Sequence, residues 1–395
     1  MFHVAEPFND TLRRGASISQ DAHVQTASVP RIPIARPLIT DEDKRRVLGV
    51  LESGQFVAGR WVREFERTFS AYLGASHGAA TSSGSAALEI ALEAAGVKPG
   101  DRVVTTPFSF VSSSNAIVRR GAVPVFVDID PQTFNLDPSR VADALAHPGG
   151  AAALLVVHLY GLPCSMDALM DLARRHRLIV IEDAAQAHGA EFMGRKAGTF
   201  GDAGAFSFYP SKNLTTGEGG MVVTSDDTVA ARARMLIDVG QSSQYVYETL
   251  GSNHRMTEIA GALGVGQLAK LGERNAARRR NAARLSAGLA DLDWLRLPVE
   301  PPGCTHVFHQ YTLRVPAVRD RLARYLDTKG VGTRTYYPTP IHRSALYRRL
   351  GFGEVRCPEA ERAAAEVLSV PVHPALGEEE VRRIVQAIRG FDPRH

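Results

Sequence analysis

The segment Val180–Thr224 reads VIEDAAQAHGAEFMGRKAGTFGDAGAFSFYPSKNLTTGEGGMVVT, and the interpretation of the whole chain starts from it. It continues an apolar run that predicts a buried strand, and that strand ends in the acidic pair Glu182-Asp183. Further on, Lys212 stands among small and polar residues, and a glycine-rich return leads into a second apolar strand at 220–224. An acid at a strand end and an isolated lysine within one segment indicate a catalytic site.

Asp183 and Lys212 together predict a site for pyridoxal 5'-phosphate (PLP). A lysine amine forms a Schiff base with the PLP aldehyde, and a carboxylate keeps the pyridine nitrogen protonated so that the ring draws electrons from the substrate. We expect Lys212 in the first role, where it also carries protons, and Asp183 in the second. The alternatives are a solvated surface lysine and a carboxylate that caps a helix or forms a structural ion pair.

The start of a helix near residue 84 is the candidate phosphate site. A dianionic phosphate is bound well by the free N–H groups at a helix N-terminus, where the helix dipole adds to the attraction. Gly84, Ser85 and Ala86 begin a helical stretch after a turn of small residues, and Ser207 is a further hydroxyl donor five residues before Lys212. As a motif this is weak, because many turns before helices look alike.

Two further side chains are candidates for contact with the pyridine ring. Phe110 lies just past a predicted strand end, where side chains reach the ligand crevice of an α/β sheet, and we expect it to stack on the ring. Core packing is the alternative for Phe110. Gln186 lies three residues after Asp183 and is placed to donate to the phenolic oxygen of the ring.

Alternating strand and helix patterns predict an α/β fold with a mostly parallel sheet covered on both faces. After two helical pieces within 41–75, the predicted strands are 102–106, 123–128, 152–158, 178–182, 204–208 and 220–224. Helical patterns near 112–120, 137–145, 166–176 and 227–238 separate most of them. Beyond residue 255 we expect helices over 256–290, 318–329, 359–368 and 377–390, and strands at 306–315 and 333–337.

The same patterns divide the chain into three parts. We expect a poorly ordered leader over 1–30, a large PLP-binding α/β domain over 31–255, and a smaller α+β domain with its connecting helix over 256–395. In the connecting helix, Arg278-Arg279-Arg280 is interpreted as a solvated face rather than a binding patch.

Composition restricts the class of protein. The balance of 46 basic and 42 acidic residues leaves a formal charge of +4, which is too small to indicate nucleic-acid binding. No apolar run approaches the roughly 20 residues of a membrane span. The cysteines Cys164, Cys304 and Cys357 have neither disulfide nor zinc spacing, which favours a reducing cytoplasm. We expect no metal site, because His306 and His309 would point to opposite faces of a strand.

The chain resembles the DegT/DnrJ/EryC1/StrS family, the fold-type I PLP-dependent sugar aminotransferases, from about Arg31 to Phe391. The resemblance rests on motifs that occur in the family's order: Ser83-Gly84-Ser85-Ala86-Ala87-Leu88, Pro99-Gly100-Asp101, Phe110, Gly121-Ala122-Val123-Pro124, Glu182-Asp183-Ala184-Ala185-Gln186-Ala187-His188-Gly189, Phe206-Ser207, Lys212-Asn213, Gly217-Glu218-Gly219-Gly220, Asn253-His254-Arg255-Met256, Tyr337-Pro338 and His342.

The resemblance implies a seven-stranded, mostly parallel sheet and an amino transfer from glutamate or glutamine to a keto group of a nucleotide-linked sugar. A keto-cyclitol is the alternative substrate. It also implies a homodimer with shared active sites, in which Asn253 reaches the phosphate of the partner chain's cofactor. The resemblance implies the same roles for Lys212, Asp183, Gln186 and Phe110 as those given above. It also implies that Gly84, Ser85 and Ser207 bind the phosphate. Four residues are candidate substrate contacts, with packing as the alternative for the last two: His188, Arg255, Tyr337 and His342.

Two positions depart from the family pattern, and they put the particular sugar in doubt. Asp238 stands before Val239-Gly240, where a basic residue or histidine is common, and His254 replaces the usual tyrosine. Two rival functions stay open. One is another PLP reaction, such as dehydration or desulfuration, although the latter needs a mobile cysteine in a glycine-rich loop. The other is a sensor of the same fold without turnover.

Overall fold

The computed structural model describes residues 30–57 and 59–394. The segment Arg31–His395 forms one compact unit. Apart from Pro30, the leader predicted over 1–30 lies outside the described residues, and its proposed character stays a prediction. The proposed division into domains at residue 255 also stays a prediction.

A seven-stranded sheet forms the centre of the fold. Six strands run parallel, and β7 runs antiparallel between β1 and β6. The spatial order is β1-β7-β6-β5-β4-β2-β3, with the strands defined as β1 (His77–Thr81), β2 (Arg102–Thr105), β3 (Val123–Phe126), β4 (Ala153–Val157), β5 (Ile179–Asp183), β6 (Ala203–Ser207) and β7 (Gly220–Thr224). The α/β fold with a mostly parallel sheet is therefore confirmed.

The sequence of β4, ALLVV, shows why this sheet is buried on both faces. Successive side chains of a strand point to opposite faces. Leu155 joins the apolar cluster on one face, which also contains Ile90 and Ile117, whereas Leu154 and Val156 join the cluster on the other face. The helices of this part are α1 (Asp41–Ser53), α2 (Arg60–Leu73), α3 (Gly84–Ala94), α4 (Ser112–Arg119), α5 (Pro138–Ala146), α6 (Met166–His176) and α7 (Asp227–Ile237). Side chains of α3, α4 and α7 join the first cluster, and side chains of α5 and α6 join the second.

The C-terminal part has its own apolar cluster, built around the antiparallel pair β8 (Tyr311–Arg314) and β9 (Val367–Val370). In the described residues, the helices of nine residues or more in this part are α8 (Glu258–Leu268), α9 (Leu271–Leu289), α10 (Arg319–Thr328), α11 (Pro358–Glu366) and α12 (Glu378–Arg389). Shorter helical turns lie between residues 341 and 352.

Several expectations for the C-terminal half are wrong in detail. The helices predicted over 256–290 are confirmed as α8 and α9, whereas the strand predicted over 306–315 is only the short β8. Residues 333–337 form no strand; a single bridge joins Arg334 to Ser369 instead. Residues 367 and 368, predicted as the end of a helix, belong to β9. Arg278 is buried and donates to the Phe308 carbonyl at 3.1 Å, so only part of the arginine run is a solvated face.

Candidate active site

A cavity of about 760 Å³ opens at the carboxyl ends of the parallel strands. This edge of an α/β sheet is where ligands bind. The residues that line the cavity come from the ends of β1, β2, β5 and β6 and from the C-terminal part: Ser82, Ser83, Gly84, Ser85, Leu88, Ser109, Phe110, Ser112, Asp183, Ala185, Gln186, Ser207, Tyr209, Ser211, Lys212, Glu218, His309, Gln310, Arg334, Tyr336 and Tyr337.

Asp183 is the last residue of β5 and is 6% exposed. Its Oδ2 accepts a hydrogen bond from Ser113 Oγ at 2.7 Å, and its Oδ1 accepts one from the Ala185 N–H at 3.1 Å. Burial raises the pKa of Asp183 above its ordinary value, while these two donors and the nearby Lys212 ammonium oppose the rise. The two donors leave lone pairs of the carboxylate free for a further N–H in the cavity.

Lys212 lies on the loop between β6 and β7 and also lines the cavity. The neighbouring Asn213 holds this loop, because its Nδ2 donates to Asn275 Oδ1 at 2.9 Å and to the Val307 carbonyl at 3.0 Å. Burial lowers the pKa of Lys212 to about 8, and the Asp183 carboxylate opposes that shift. More of the amine is therefore neutral and nucleophilic near neutral pH than in an ordinary lysine.

The N-terminus of α3 and the end of β6 form one cradle of donors. A Cβ on Gly84 would lie 2.5 Å from Ser207 Cβ, so only glycine lets the helix start approach that strand end. The first N–H groups of a helix have no partner within it, and those of Gly84 and Ser85 border the cavity. Ala86 does not line the cavity, and its N–H donates to the Ser83 Oγ cap at 3.2 Å. The predicted role of Ala86 is therefore not supported by this geometry.

Aromatic and amide groups form another part of the cavity wall. The rings of Phe110 and Tyr337 lie 6.1 Å apart, and Phe110 keeps 54% of its surface exposed, so it is not a core residue. Gln186 Nε2 donates to Tyr337 Oη at 3.1 Å, and Gln186 Oε1 accepts the Tyr160 N–H at 2.8 Å. This fixes the amide orientation and leaves one Nε2 hydrogen for a ligand oxygen.

His188 and His342 do not line the cavity. His188 is fully buried with its ring 5.5 Å from that of Phe206 and 5.7 Å from that of Phe208, and burial lowers its pKa to about 3. His342 is also fully buried, and its Nε2 lies 3.1 Å from Glu361 Oε1. The structure therefore gives both histidines packing positions. Among the four predicted substrate contacts, Tyr337 is the one that the cavity contains.

Arg255 and Asn253 lie away from the cavity as well. Arg255 pairs with Asp238, and both line a separate surface depression of about 260 Å³. Asn253 forms a backbone bridge with Asp238, and its side chain is exposed. The predicted contact of Asn253 with a partner chain's cofactor stays a prediction. His254, which departs from the family pattern, is held by its backbone N–H, which donates to the Ile237 carbonyl at 2.9 Å.

Sequence reasoning missed several residues of the cavity wall. Ser109 and Ser112 line it directly, and Ser113 reaches it through Asp183. Arg334 and Tyr336 come from the irregular segment that was predicted as a strand. The run of serines after Phe110 was the available signal, but serine is common in loops. Only the fold shows which hydroxyls meet Asp183.

The side chains of the cavity fit PLP from one end to the other. N–H and hydroxyl donors suited to a phosphate lie at the start of α3, and an open aromatic face suited to the ring is provided by Phe110. The carboxylate of Asp183 has lone pairs left to accept a ring N–H, and Lys212 lines the same cavity. Fold and site together define a PLP-dependent aminotransferase of fold type I.

The family model "DegT/DnrJ/EryC1/StrS aminotransferase family" matches residues 37–389, and the chain belongs to this family. A pleiotropic regulatory protein of Geobacillus stearothermophilus is 43% identical over 87% of this chain and 92% of the relative. The dTDP-3-amino-3,4,6-trideoxy-alpha-D-glucose transaminase of Streptomyces venezuelae is 40% identical over 93% of this chain and 98% of the relative. The solved structure of S. venezuelae DesV with a ketimine intermediate is 39% identical, with a TM-score of 0.86 over 91% of this chain and 98% of that chain.

Residues 30–57 and 59–394 contain no group of three or more His, Cys, Asp or Glu side chains arranged to hold a metal ion. In the same residues, no helix has the length and apolar character that a membrane crossing requires.

Proposed function

We propose that this enzyme transfers an amino group from glutamate or glutamine to the keto group of a nucleotide-linked sugar. The observation that carries the proposal is that Lys212 and Asp183 border one cavity of about 760 Å³, which leaves room for a large substrate beside the cofactor. Relatives named as acting on such compounds support it: the S. venezuelae transaminase and a GDP-perosamine synthase of Caulobacter vibrioides that is 37% identical over 92% of this chain.

PLP supplies an electron sink that stabilises negative charge on the carbon next to a bound amine. The residues of this chain do the remaining work. The Lys212 amine holds the cofactor through its aldehyde carbon and, once released, takes and returns the proton at the substrate carbon. Asp183 pairs with the ring nitrogen, Gln186 donates to the ring oxygen, and Phe110 covers the ring face. Gly84, Ser85 and Ser207 hold the phosphate.

Arg334 is proposed to bind the carboxylate of the amino donor. Arg334 lines the cavity, and its backbone is fixed by the bridge to Ser369. A guanidinium recognises a carboxylate through two parallel hydrogen bonds. Tyr336 and Gln310 line the wall beside it and present polar groups suited to sugar hydroxyls.

We also propose that the chain works as a cytoplasmic homodimer. The hairpin and loop over residues 241–250 expose apolar side chains, with Tyr245 at 75%, Tyr247 at 61% and Leu250 at 94% of their surfaces. Exposed apolar groups in one region favour a protein interface. Asn253 follows this loop, which suits a residue that reaches a partner's site. The three free cysteines support a reducing compartment.

Absorbance spectroscopy tests the PLP chemistry. Purified protein should show the visible band of lysine-bound PLP, and glutamate or glutamine should bleach it. Borohydride reduction followed by mass spectrometry should place the adduct on Lys212, and Lys212→Ala should lose both band and turnover. An adduct on another lysine would reject the assigned residue.

Two further outcomes separate the rival functions. The name of the Geobacillus relative suggests a regulator, and a sensor would bind PLP but would not restore the bleached band when a keto substrate is added. Substrate class is tested in the reverse direction with a panel of nucleotide-linked amino sugars and amino-cyclitols. Turnover of the cyclitols alone would replace the proposed sugar substrate.

A further inference from the structure

Two serine hydroxyls form a short chain that ends on Asp183. Ser109 Oγ lies 2.9 Å from Ser113 Oγ, and Ser113 Oγ lies 2.7 Å from Asp183 Oδ2. Both serines are buried, with exposures of 4% and 0%. Ser113 belongs to the first turn of α4, so its hydroxyl is held by the helix start, whereas Ser109 lies in the segment just before the helix.

The direction of these hydrogen bonds follows from the groups involved. An ionised carboxylate only accepts, so the Ser113 hydroxyl donates to Asp183 and the Ser109 hydroxyl donates to Ser113. Ser113 Oγ also lies 3.2 Å from the Phe110 carbonyl, but its single proton favours the shorter bond to the charged oxygen. The chain therefore delivers positive hydrogen-bond charge to Oδ2 of the carboxylate.

We propose that Ser113, supported by Ser109, is a positioning residue that keeps the proton on the cofactor's ring nitrogen. A carboxylate that accepts a strong hydrogen bond is a weaker base, so the proton it shares with the ring stays on nitrogen rather than moving to oxygen. Ser113 and the Ala185 N–H also fix the two carboxylate oxygens, which sets the direction of the remaining lone pairs. The proposal rests on the proposed pairing of Asp183 with the ring nitrogen.

The test is the ¹⁵N chemical shift of PLP labelled at the ring nitrogen and bound to the full-length protein. Ser113→Ala should displace the signal toward that of a neutral pyridine and raise the Kd for PLP by about tenfold, the size expected for losing a hydrogen bond to a charged group. Ser109→Ala should displace the signal in the same direction by a smaller amount. An unchanged ring-nitrogen signal in folded Ser113→Ala protein would overturn the proposal.

Two controls separate this effect from other losses. Ser70→Ala removes another buried hydroxyl, one that donates to the Glu66 carbonyl at 2.8 Å on α2, and should leave the ring signal in place. Asp183→Asn should give the largest displacement. If that variant kept the wild-type signal, the assigned role of Asp183 would fail instead. If Ser113→Ala does not fold, Ser109→Ala decides, because an unchanged signal there also contradicts the hydroxyl chain.

Discussion

The two faces of the end of β5 carry adjacent carboxylates in different surroundings. Glu182 is fully buried, and its oxygens accept from His158 Nε2 at 2.9 Å and from the N–H groups of Gly198 at 2.7 Å, Phe200 at 2.5 Å and Gly201 at 2.8 Å. Asp183 is one residue on and therefore lies on the other face. Among the described residues, its side-chain oxygens accept only from the Ser113 hydroxyl and the Ala185 N–H.

This difference separates a structural carboxylate from the one that we propose pairs with the ring nitrogen. With four donors, Glu182 uses its acceptor capacity to hold the loop at 198–201 against β5. Asp183 keeps lone pairs that accept no hydrogen bond from the described residues, and the residue lines the cavity. Burial alone would not tell the two apart, but the number of donors does.

The comparison predicts its largest effect for Glu182→Gln. The substitution removes the charge that balances the four donors and places an NH₂ where acceptors are needed, so the free energy of unfolding should fall by about 3–5 kcal/mol. Urea denaturation of the holoenzyme measures it. Glu191→Gln, which alters a partly exposed pair with Lys196, is the control and should cost under about 1 kcal/mol. Equal losses in both variants would remove the distinction between the carboxylates.

Asp183→Asn should reverse the pattern. The amide oxygen can still accept one of the two existing hydrogen bonds, so stability should change little, whereas the charge opposite the ring nitrogen is lost. Turnover should fall by about 10²–10³, the range seen when one preorganised electrostatic partner is removed. Steady-state kinetics with saturating PLP checks this. Activity within tenfold of wild type would show that the open side of Asp183 serves no catalytic purpose.

Gly84→Ala tests whether the donor cradle depends on the approach of α3 to β6. The added Cβ would meet Ser207 Cβ at 2.5 Å, so one of the two elements must shift, at a cost of about 1–3 kcal/mol. We expect weaker PLP binding, measured by equilibrium dialysis. Gly49→Ala in α1, where a Cβ meets nothing within 4 Å, is the matched control and should stabilise the protein slightly. Unchanged PLP affinity in Gly84→Ala would exclude the cradle as the phosphate site.

How far the sequence predicts this arrangement depends on how local each interaction is. The apolar runs of β4 and β5 predict buried strands directly, and Asp183 and Lys212 are recognisable by their position beside such runs. β1, with the sequence HGAAT, gives no strand signal because its small side chains acquire their burial only inside the sheet.

The donors to the two carboxylates were not predictable for a similar reason. Ser113 and Asp183 are 70 positions apart, and His158 and Glu182 are 24 apart, so each pair exists only after the strands have been placed side by side. The arginine run gave a wrong prediction for Arg278. The helical spacing of the run is visible in the sequence, but the distant segment around Phe308 that buries Arg278 is not.

The pH dependence of cofactor uptake tests whether the Asp183 carboxylate acts on the Lys212 amine. Burial lowers the pKa of Lys212 to about 8, and the nucleophile toward the PLP aldehyde is the neutral amine. The rate of PLP uptake by the apoenzyme in stopped-flow absorbance should therefore rise with pH and level off above about pH 8. A lysine with its ordinary pKa of about 10.4 would still gain rate beyond pH 10.

Asp183 opposes the lowering of the Lys212 pKa, so the midpoint in Asp183→Asn should move to lower pH, whereas Glu191→Gln should leave it in place. The stability of the apoenzyme should also increase with pH, as the rate of PLP uptake does. Because the unfolded lysine binds more protons than the folded one between about pH 8 and 10.4, the free energy of unfolding of the apoenzyme should gain a positive contribution across that interval. A midpoint in Asp183→Asn at or above the wild-type value would mean that the two side chains do not share the electrostatic field of one cavity.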